Sequence, residues 1–283
     1  MHRRKLFCEY GPVCYRISVA KECLRRRLWD LMRHTAFARS QTQQELPVLV
    51  KGHVSPILRR LEGVDMRLQR NKAENLRIAI RPIDHLLIRP GESFSFWQRV
   101  GRCTARRGYL PGLAISNGSL REETGGGLCQ LANLIHYLVL HSPLTVTELH
   151  HHSDALFPDS ERRVPFGTGT SVFYRHVDYR FRNDTDQTVQ LLLWIENDLL
   201  CGELRAQTPF PLRYRLVEED SHYTKESDGY YRNSRVYRRR FEAETGKELP
   251  RELLLVNHSK VLYDPALIPP ELLRIKKEEA PCQ

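Results

Sequence analysis

The sequence has no apolar run near the roughly 18 residues that a membrane-spanning helix needs. Its beginning also lacks the apolar stretch of a signal peptide, because Glu9, Arg16 and Lys21 interrupt it. We therefore expect no membrane span and a cytoplasmic location. The seven cysteines are odd in number and widely spaced, so in that compartment they are expected to be reduced thiols.

Several functional motifs are missing as well. The chain contains no C-x₂-C pair of the kind that holds zinc, no helix-turn-helix or RNA-binding strand motif, and no internal repeat. Specific nucleic-acid binding is therefore not expected. What is present is a hydrophobic content of 41%, enough for a core, and a net charge of +10, which predicts attraction to an anionic surface.

The patterning of the 283 residues predicts three regions. Residues 18–39 and 53–71 carry apolar positions at helical spacing with arginines between them, as in Leu24, Leu28 and Leu31, which indicates amphipathic helices that pack on a core or a partner. Short strands separated by glycine and proline turns follow. The predicted division is an N-terminal helical region (1–75), a core domain (76–208) and a basic, β-rich C-terminal extension (209–283).

Strands are expected where apolar residues alternate or cluster between turns. In 173–181 the alternation places Tyr179 and Phe181 on one face and Asp178 on the other. The fold class is therefore α+β, with N-terminal amphipathic helices followed by a mostly antiparallel sheet packed around a central buried helix that starts at Cys129. The expected strands are 86–88, 144–147, 173–181, 188–195, 235–241 and 252–257.

Three glycines lead into a cysteine in the run Thr124-Gly125-Gly126-Gly127-Leu128-Cys129-Gln130. The apolar segment after them predicts a buried helix with Cys129 in its first turn, where the helix dipole favours a thiolate and lowers the thiol pKa. Cys129 is thus a candidate nucleophile, and the glycine turn offers backbone N–H groups to an oxyanion. The alternative is that Cys129 is a small apolar residue packed under the turn.

A second polar run, Glu148-Leu149-His150-His151-His152, follows a strand-like stretch. Strand alternation places His150 and His152 on one face and His151 on the other. His152 or His150 is the candidate general base, with Asp178 or Asn133 orienting the imidazole. The other chemical interpretation is a zinc ion bound by Cys129, His150 and His152. The structural interpretation is that the histidines form a solvated strand edge.

The chain resembles the VanW family through motifs that occur in order. Many relatives carry an aspartate two residues after the glycine that matches Gly167, where this chain has Gly169, so Asp178 becomes the more suitable acidic residue. The match is strongest over roughly residues 76 to 206, and the shared motifs are Pro90–Phe96, Val100-Gly101, Gly108-Tyr109, Gly125–Gln130, His150–Ser153, Phe166–Val172 and Asp178–Asn183.

The resemblance implies an accessory protein linked to glycopeptide (vancomycin) resistance or cell-envelope metabolism. Combined with the residues, it suggests a cysteine-dependent hydrolase or acyltransferase that acts on an amide or peptide-like substrate without a cofactor. The alternative is a non-catalytic binding module for a cell-wall precursor or other anionic ligand. The expected ligand-binding residues are Gly125, Gly126, Gly127, Gln130 and Asn133.

Overall fold

The structure is a computed structural model that describes residues 6–58, 65–116, 119–151, 154–155, 158, 164–174 and 177–274. Its helices are α1 (Pro12–Met32), α2 (Met66–Ile80), α3 (Phe96–Val100) and α4 (Cys129–Leu140). The strands are β1 (Val48–Pro56), β2 (Leu86–Ile88), β3 (Ser93–Ser95), β4 (Pro111–Ser116), β5 (Ser119–Thr124), β6 (Thr145–Glu148), β7 (Asp154–Ala155), β8 (Arg180–Arg182), β9 (Val189–Glu196), β10 (Leu199–Ala206), β11 (Leu212–Glu226), β12 (Gly229–Glu242), β13 (Glu248–Val261) and β14 (Leu273–Arg274).

Within the described ranges the strands form four sheets, and most neighbouring strands are antiparallel. The orders are β1-β10-β9-β2, β14-β11-β12-β13-β7, β3-β8-β6 and β4-β5. Among the strands of the described residues, only two short edge strands pair in parallel: β14 with β11, and β7 with β13. The predicted α+β class with a mostly antiparallel sheet is confirmed.

Helix α4 is the centre of the main core. It begins at Cys129, as predicted, and the side chains of Leu131, Ile135 and Leu138 are 0% exposed. The helix packs on β1 and β10, where a Cβ at Gly202 would lie 2.7 Å from Leu134 Cδ2. A glycine at this strand position therefore lets the helix approach the sheet closely.

Helix α2 covers another side of this core. The carboxylate of Asp65 caps its first turn by accepting a hydrogen bond from the Arg67 N–H at 2.7 Å. Its apolar residues recur at helical spacing, so Leu76, Ala79 and Ile80 are buried while Arg77 between them is exposed.

The predicted helix over 53–71 is wrong in its first part. Residues 53–56 belong to β1, which pairs antiparallel with β10 from Val48 to Pro56, and the helix starts only at Met66. The apolar residues around His53 fit helical spacing and strand alternation equally well, and pairing with β10 decides between them. Residues 59–64 lie outside the described part of the chain.

The strand predicted over 173–181 is also too long. Only Arg180–Arg182 forms a strand there, with Phe173 and Val177 joined by an isolated bridge. The other strands are confirmed in type, and those predicted at 235–241 and 252–257 lie within the longer strands β12 and β13.

The C-terminal sheet has a small core of its own. Phe166 and Ala155 pack there against Tyr223, Val261 and Ile268. Chain from before residue 209 therefore contributes to this core and, through β7, to the sheet. The proposed boundaries at 75/76 and 208/209 stay predictions.

Candidate functional site

The thiol of Cys129 lies at the start of α4 beneath the segment around Val172. Sγ donates a weak hydrogen bond to the Val172 carbonyl oxygen at 3.8 Å, and the side chain packs against the main core. Burial raises the pKa of the Cys129 thiol. This direction is opposite to the lowering expected from the helix dipole, because burial desolvates a thiolate at this position.

The glycine turn is filled by its neighbours. A Cβ at Gly126 would lie 2.3 Å from the carbonyl carbon and oxygen of Gly112, so the two backbones touch. The Gly125 N–H donates to Leu110 O at 2.9 Å, and the Gly126 N–H donates to Glu123 O at 3.0 Å. These two N–H groups are therefore engaged within the protein and do not form an oxyanion hole in this conformation.

Two further predicted ligand-binding residues join α4 to its surroundings. Asn133 Oδ1 accepts a hydrogen bond from the Thr170 N–H at 2.7 Å. Gln130 Nε2 donates to Ser55 Oγ at 2.9 Å and to Pro56 O at 2.8 Å. Gly127, the third glycine of the turn, adopts φ +94° against the side chain of Lys72. These contacts anchor the helix N-terminus and its covering loop.

The described histidines of the run face different partners. His150 Nε2 lies 3.0 Å from Glu148 Oε1, whereas His151 Nδ1 lies 3.0 Å from Gly167 O. The backbone oxygen of His150 accepts a hydrogen bond from Ser171, which fixes the run against the segment that covers Cys129. His152, a candidate general base, lies outside the described residues. The shared face of His150 and His152 therefore stays a prediction.

Asp178 is buried, contrary to its predicted place on the polar face of an extended strand. It is 3% exposed, and it accepts hydrogen bonds from Ser95 Oγ at 2.5 Å and from the Trp97 N–H at 3.1 Å. The chain is not a regular strand at this position, so alternation does not determine its orientation. Among the described histidines, His150 is the one with a carboxylate partner in this region, and that partner is Glu148.

Asp178 belongs to an ionic cluster formed by Arg26, Asp30, Glu148, Asp178 and Arg180. Arg26 donates to both carboxylate oxygens of Glu148, at 2.6 and 2.8 Å, and Arg180 donates to both of Asp30, at 2.6 and 3.1 Å. Burial opposes the charge on Glu148, but hydrogen bonds from Arg26 and His150 hold its pKa below the usual value. The cluster ties α1 to β6 and β8, so its acidic groups act as structural ion partners.

A cavity of about 370 Å³ lies beside the second half of α4. Four of its polar residues, His136, His151, Thr168 and Arg238, come from four separate segments of the chain. Burial, with a smaller contribution from His151, lowers the pKa of His136 to about 3, so this imidazole is neutral near pH 7. The remaining lining residues are Leu140, Pro143, Leu144, Thr145, Val146, Leu149, Glu252, Leu254 and Leu255.

One cation faces this cavity with a fixed geometry. The Arg238 guanidinium lies 2.7 Å from Glu252 Oε2, contacts Ser142 O at 3.4 Å and covers the Tyr214 ring. With apolar walls, a neutral imidazole and a cation at the rim, the cavity suits a small ligand that has an apolar body and one anionic end.

Sequence reasoning missed this cavity. It set His151 aside as the residue on the opposite strand face, and it assigned no role to Arg238. Thr168 was included only as part of a family motif. The available signal is that His151 and Thr168 each belong to one of the shared motifs. That they line one cavity with Arg238 depends on the tertiary structure.

No group of three or more His, Cys, Asp or Glu residues in the described ranges has the arrangement of a metal site. The predicted zinc set includes His152, which is outside those ranges. Of the helices in the part of the chain that the structure describes, none combines the length and apolar character needed to cross a membrane.

Comparison with known proteins gives a consistent assignment. The family model described as VanW like protein matches residues 71–205. The chain is 31% identical over 227 residues to the vancomycin B-type resistance protein VanW of Enterococcus faecalis (strain ATCC 700802 / V583), covering 80% of this chain and 82% of that protein. It is 29% identical over 120 residues to YoaR of Bacillus subtilis (strain 168), covering 42% of this chain and 38% of that protein. No solved structure gives a significant match. With its motifs in order and an alignment that covers most of both chains, the protein belongs to the VanW family.

Proposed function

We propose that this VanW-family protein is an accessory protein of glycopeptide resistance or cell-envelope metabolism that acts by binding a peptide-like ligand. The association with vancomycin resistance comes from the relative in Enterococcus faecalis. The observation that carries the binding function is the cavity beside α4, which brings His151 and Thr168 of two family motifs together with Arg238.

The chemistry of the cavity defines the ligand class. Its leucine and valine side chains fit small apolar groups, and Arg238 is the cation that recognises a terminal carboxylate. Arg238 pairs with Glu252, whose side chain is 44% exposed, and a ligand carboxylate would displace Glu252 towards solvent. A short peptide with a free C-terminus, such as the end of a cell-wall precursor, meets these requirements.

The residues around Cys129 support binding better than catalysis. The thiol is protonated near neutral pH, the Gly125 and Gly126 N–H groups are engaged, and Asp178 is an ion partner of Arg180. The position of Cys129 at the start of α4 is the observation that favours the second candidate, a cysteine-dependent hydrolase or acyltransferase.

Calorimetric titration with two matched peptides tests the proposal. We expect N-acetyl-alanyl-alanine to bind more tightly than its C-terminal amide, because only the acid pairs with Arg238. In Arg238→Gln the acid should lose about tenfold to a hundredfold in affinity while the amide changes little. Arg213→Gln, on the neighbouring strand β11, is the control. Equal affinity for acid and amide, or no binding of either, would overturn the proposed ligand class.

A further inference from the structure

The polarity of α1 is reversed relative to an ordinary surface helix. Its side facing the protein carries Arg26 and Asp30, which pair with Glu148 and Arg180 of the core. None of the 21 residues of α1 is buried. A helix normally packs its apolar face on the core and turns its charges to water, so this one leaves its apolar face available.

The solvent side of α1 carries an apolar stripe, which we call the outer stripe. It consists of Val13, Ile17, Leu24, Leu28 and Leu31, which are 67%, 53%, 59%, 50% and 70% exposed. Residues spaced by three, four or seven positions share one helical face. Aromatic and sulfur side chains extend the exposed apolar surface at both ends of the helix, namely Phe7 (56%), Tyr10 (68%), Trp29 (52%) and Met32 (70%).

Basic side chains border the outer stripe. Arg16, Lys21, Arg25 and Arg27 are all exposed, and on the helical projection they fall on the two sides of the stripe. The acidic residues of α1 are Glu22, which pairs with Arg25 at 2.7 Å, and Asp30, which faces the core. The solvent side of the helix is therefore both apolar and positively charged.

These two properties together select the partner. A second copy of the chain would cover the stripe, but it would place arginines against arginines with few acidic residues to compensate. An anionic phospholipid surface covers the apolar residues and attracts the flanking cations at the same time, which is the usual mode of a basic amphipathic helix. Exposed tryptophan and tyrosine side chains are typical of the membrane interface.

We propose that α1 binds the surface of an anionic phospholipid membrane through the outer stripe and its flanking basic residues. The ionic cluster on the opposite side of the helix then attaches the core to that surface. This proposal rests on α1 alone and does not depend on the ligand of the α4 cavity.

Vesicle co-sedimentation of the full chain tests this proposal. We expect binding to vesicles of equal parts phosphatidylglycerol and phosphatidylcholine to be at least about tenfold stronger than to phosphatidylcholine alone, and to weaken at high salt. Replacing Arg16 and Arg27 with glutamine should weaken it by about fivefold per residue. The double variant Leu24→Glu/Leu28→Glu should abolish binding.

A matched control uses exposed apolar residues elsewhere. Leu253 and Val256 on β13 are 50% and 59% exposed, so Leu253→Glu/Val256→Glu makes the same chemical change away from α1. Both double variants should keep the melting temperature of the unmodified chain, and only the α1 variant should lose vesicle binding. Equal loss in both, binding that ignores phosphatidylglycerol, or a dimer that only Leu24→Glu/Leu28→Glu dissociates would overturn the proposal.

Discussion

The two halves of α4 differ in how closely their neighbours surround them. At the N-terminal end, Gly126 touches the backbone of Gly112 and the Cys129 thiol is held against Val172. In the second half, His136 and Leu140 border a cavity of about 370 Å³. The residues that stand out in the sequence thus lie in close packing, whereas the open space lies among residues that attract less notice.

The largest effect is expected at the packed end. Gly126→Val forces a branched side chain into the Gly112 backbone, and we expect a loss of about 3 kcal/mol in the free energy of unfolding. Gly52→Val in β1 is the control, because the nearest atom to its Cβ is Glu203 Cγ at 3.9 Å. Urea denaturation of both variants measures the difference. Equal midpoints would show that the turn is not tightly packed.

A smaller effect, a loss of stability at low pH, is expected at the cavity end of α4. Because burial lowers the pKa of His136 to about 3, the unfolded chain binds more protons than the folded one between that value and the ordinary pKa of about 6.5. Stability is therefore lost as the pH falls through this window, by about 2 kcal/mol at pH 5 from this residue.

Denaturation of the unmodified chain and of His136→Gln across pH 5 to 7 checks this expectation. The variant should show a flatter pH dependence, because glutamine does not titrate. His141, whose pKa is lowered by burial to about 4, stays in both proteins and adds the same slope to each. Parallel profiles would mean that folding does not lower the pKa of His136.

The smallest effect is expected at Cys129. Cys129→Ser should change the free energy of unfolding by less than about 1 kcal/mol, since the hydroxyl can replace the weak bond to Val172 O. Iodoacetamide at pH 6 should label Cys129 no faster than Cys103, whose pKa burial raises to about 11. Labelling of Cys129 well ahead of Cys103 would contradict the packing role and restore the nucleophile hypothesis.

Local patterns predicted the parts of the fold that short segments determine. The start of α4 at Cys129 follows from three glycines before an apolar run, and strands such as β2 and β9 follow from their composition. The strand at 53–56 was missed because its pairing partner β10 lies far along the chain. Periodicity alone does not weigh such a pairing against a helix.

The site was less predictable than the fold. The sequence places Cys129 at a helix N-terminus, but the desolvation that raises its pKa comes from packing that no local pattern records. Asp178 was chosen because Gly169 replaces the aspartate of many relatives. Its orientation was predicted by alternation, which fails where the backbone is irregular. His151 from the centre of the chain and Arg238 from β12 line the same cavity, and only the tertiary structure shows this.

The ionic contacts of α1 also set an order of events during synthesis. Arg26 and Glu148 are 122 positions apart, and Asp30 and Arg180 are 150 positions apart. At a translation rate of roughly 5 to 20 residues per second, Asp30 is made roughly 8 to 30 s before Arg180. Throughout that interval the nascent helix has no core to dock on. Its basic, apolar side is therefore exposed before its contacts with Glu148 and Arg180 can form, so the proposed binding to a membrane can precede completion of the fold.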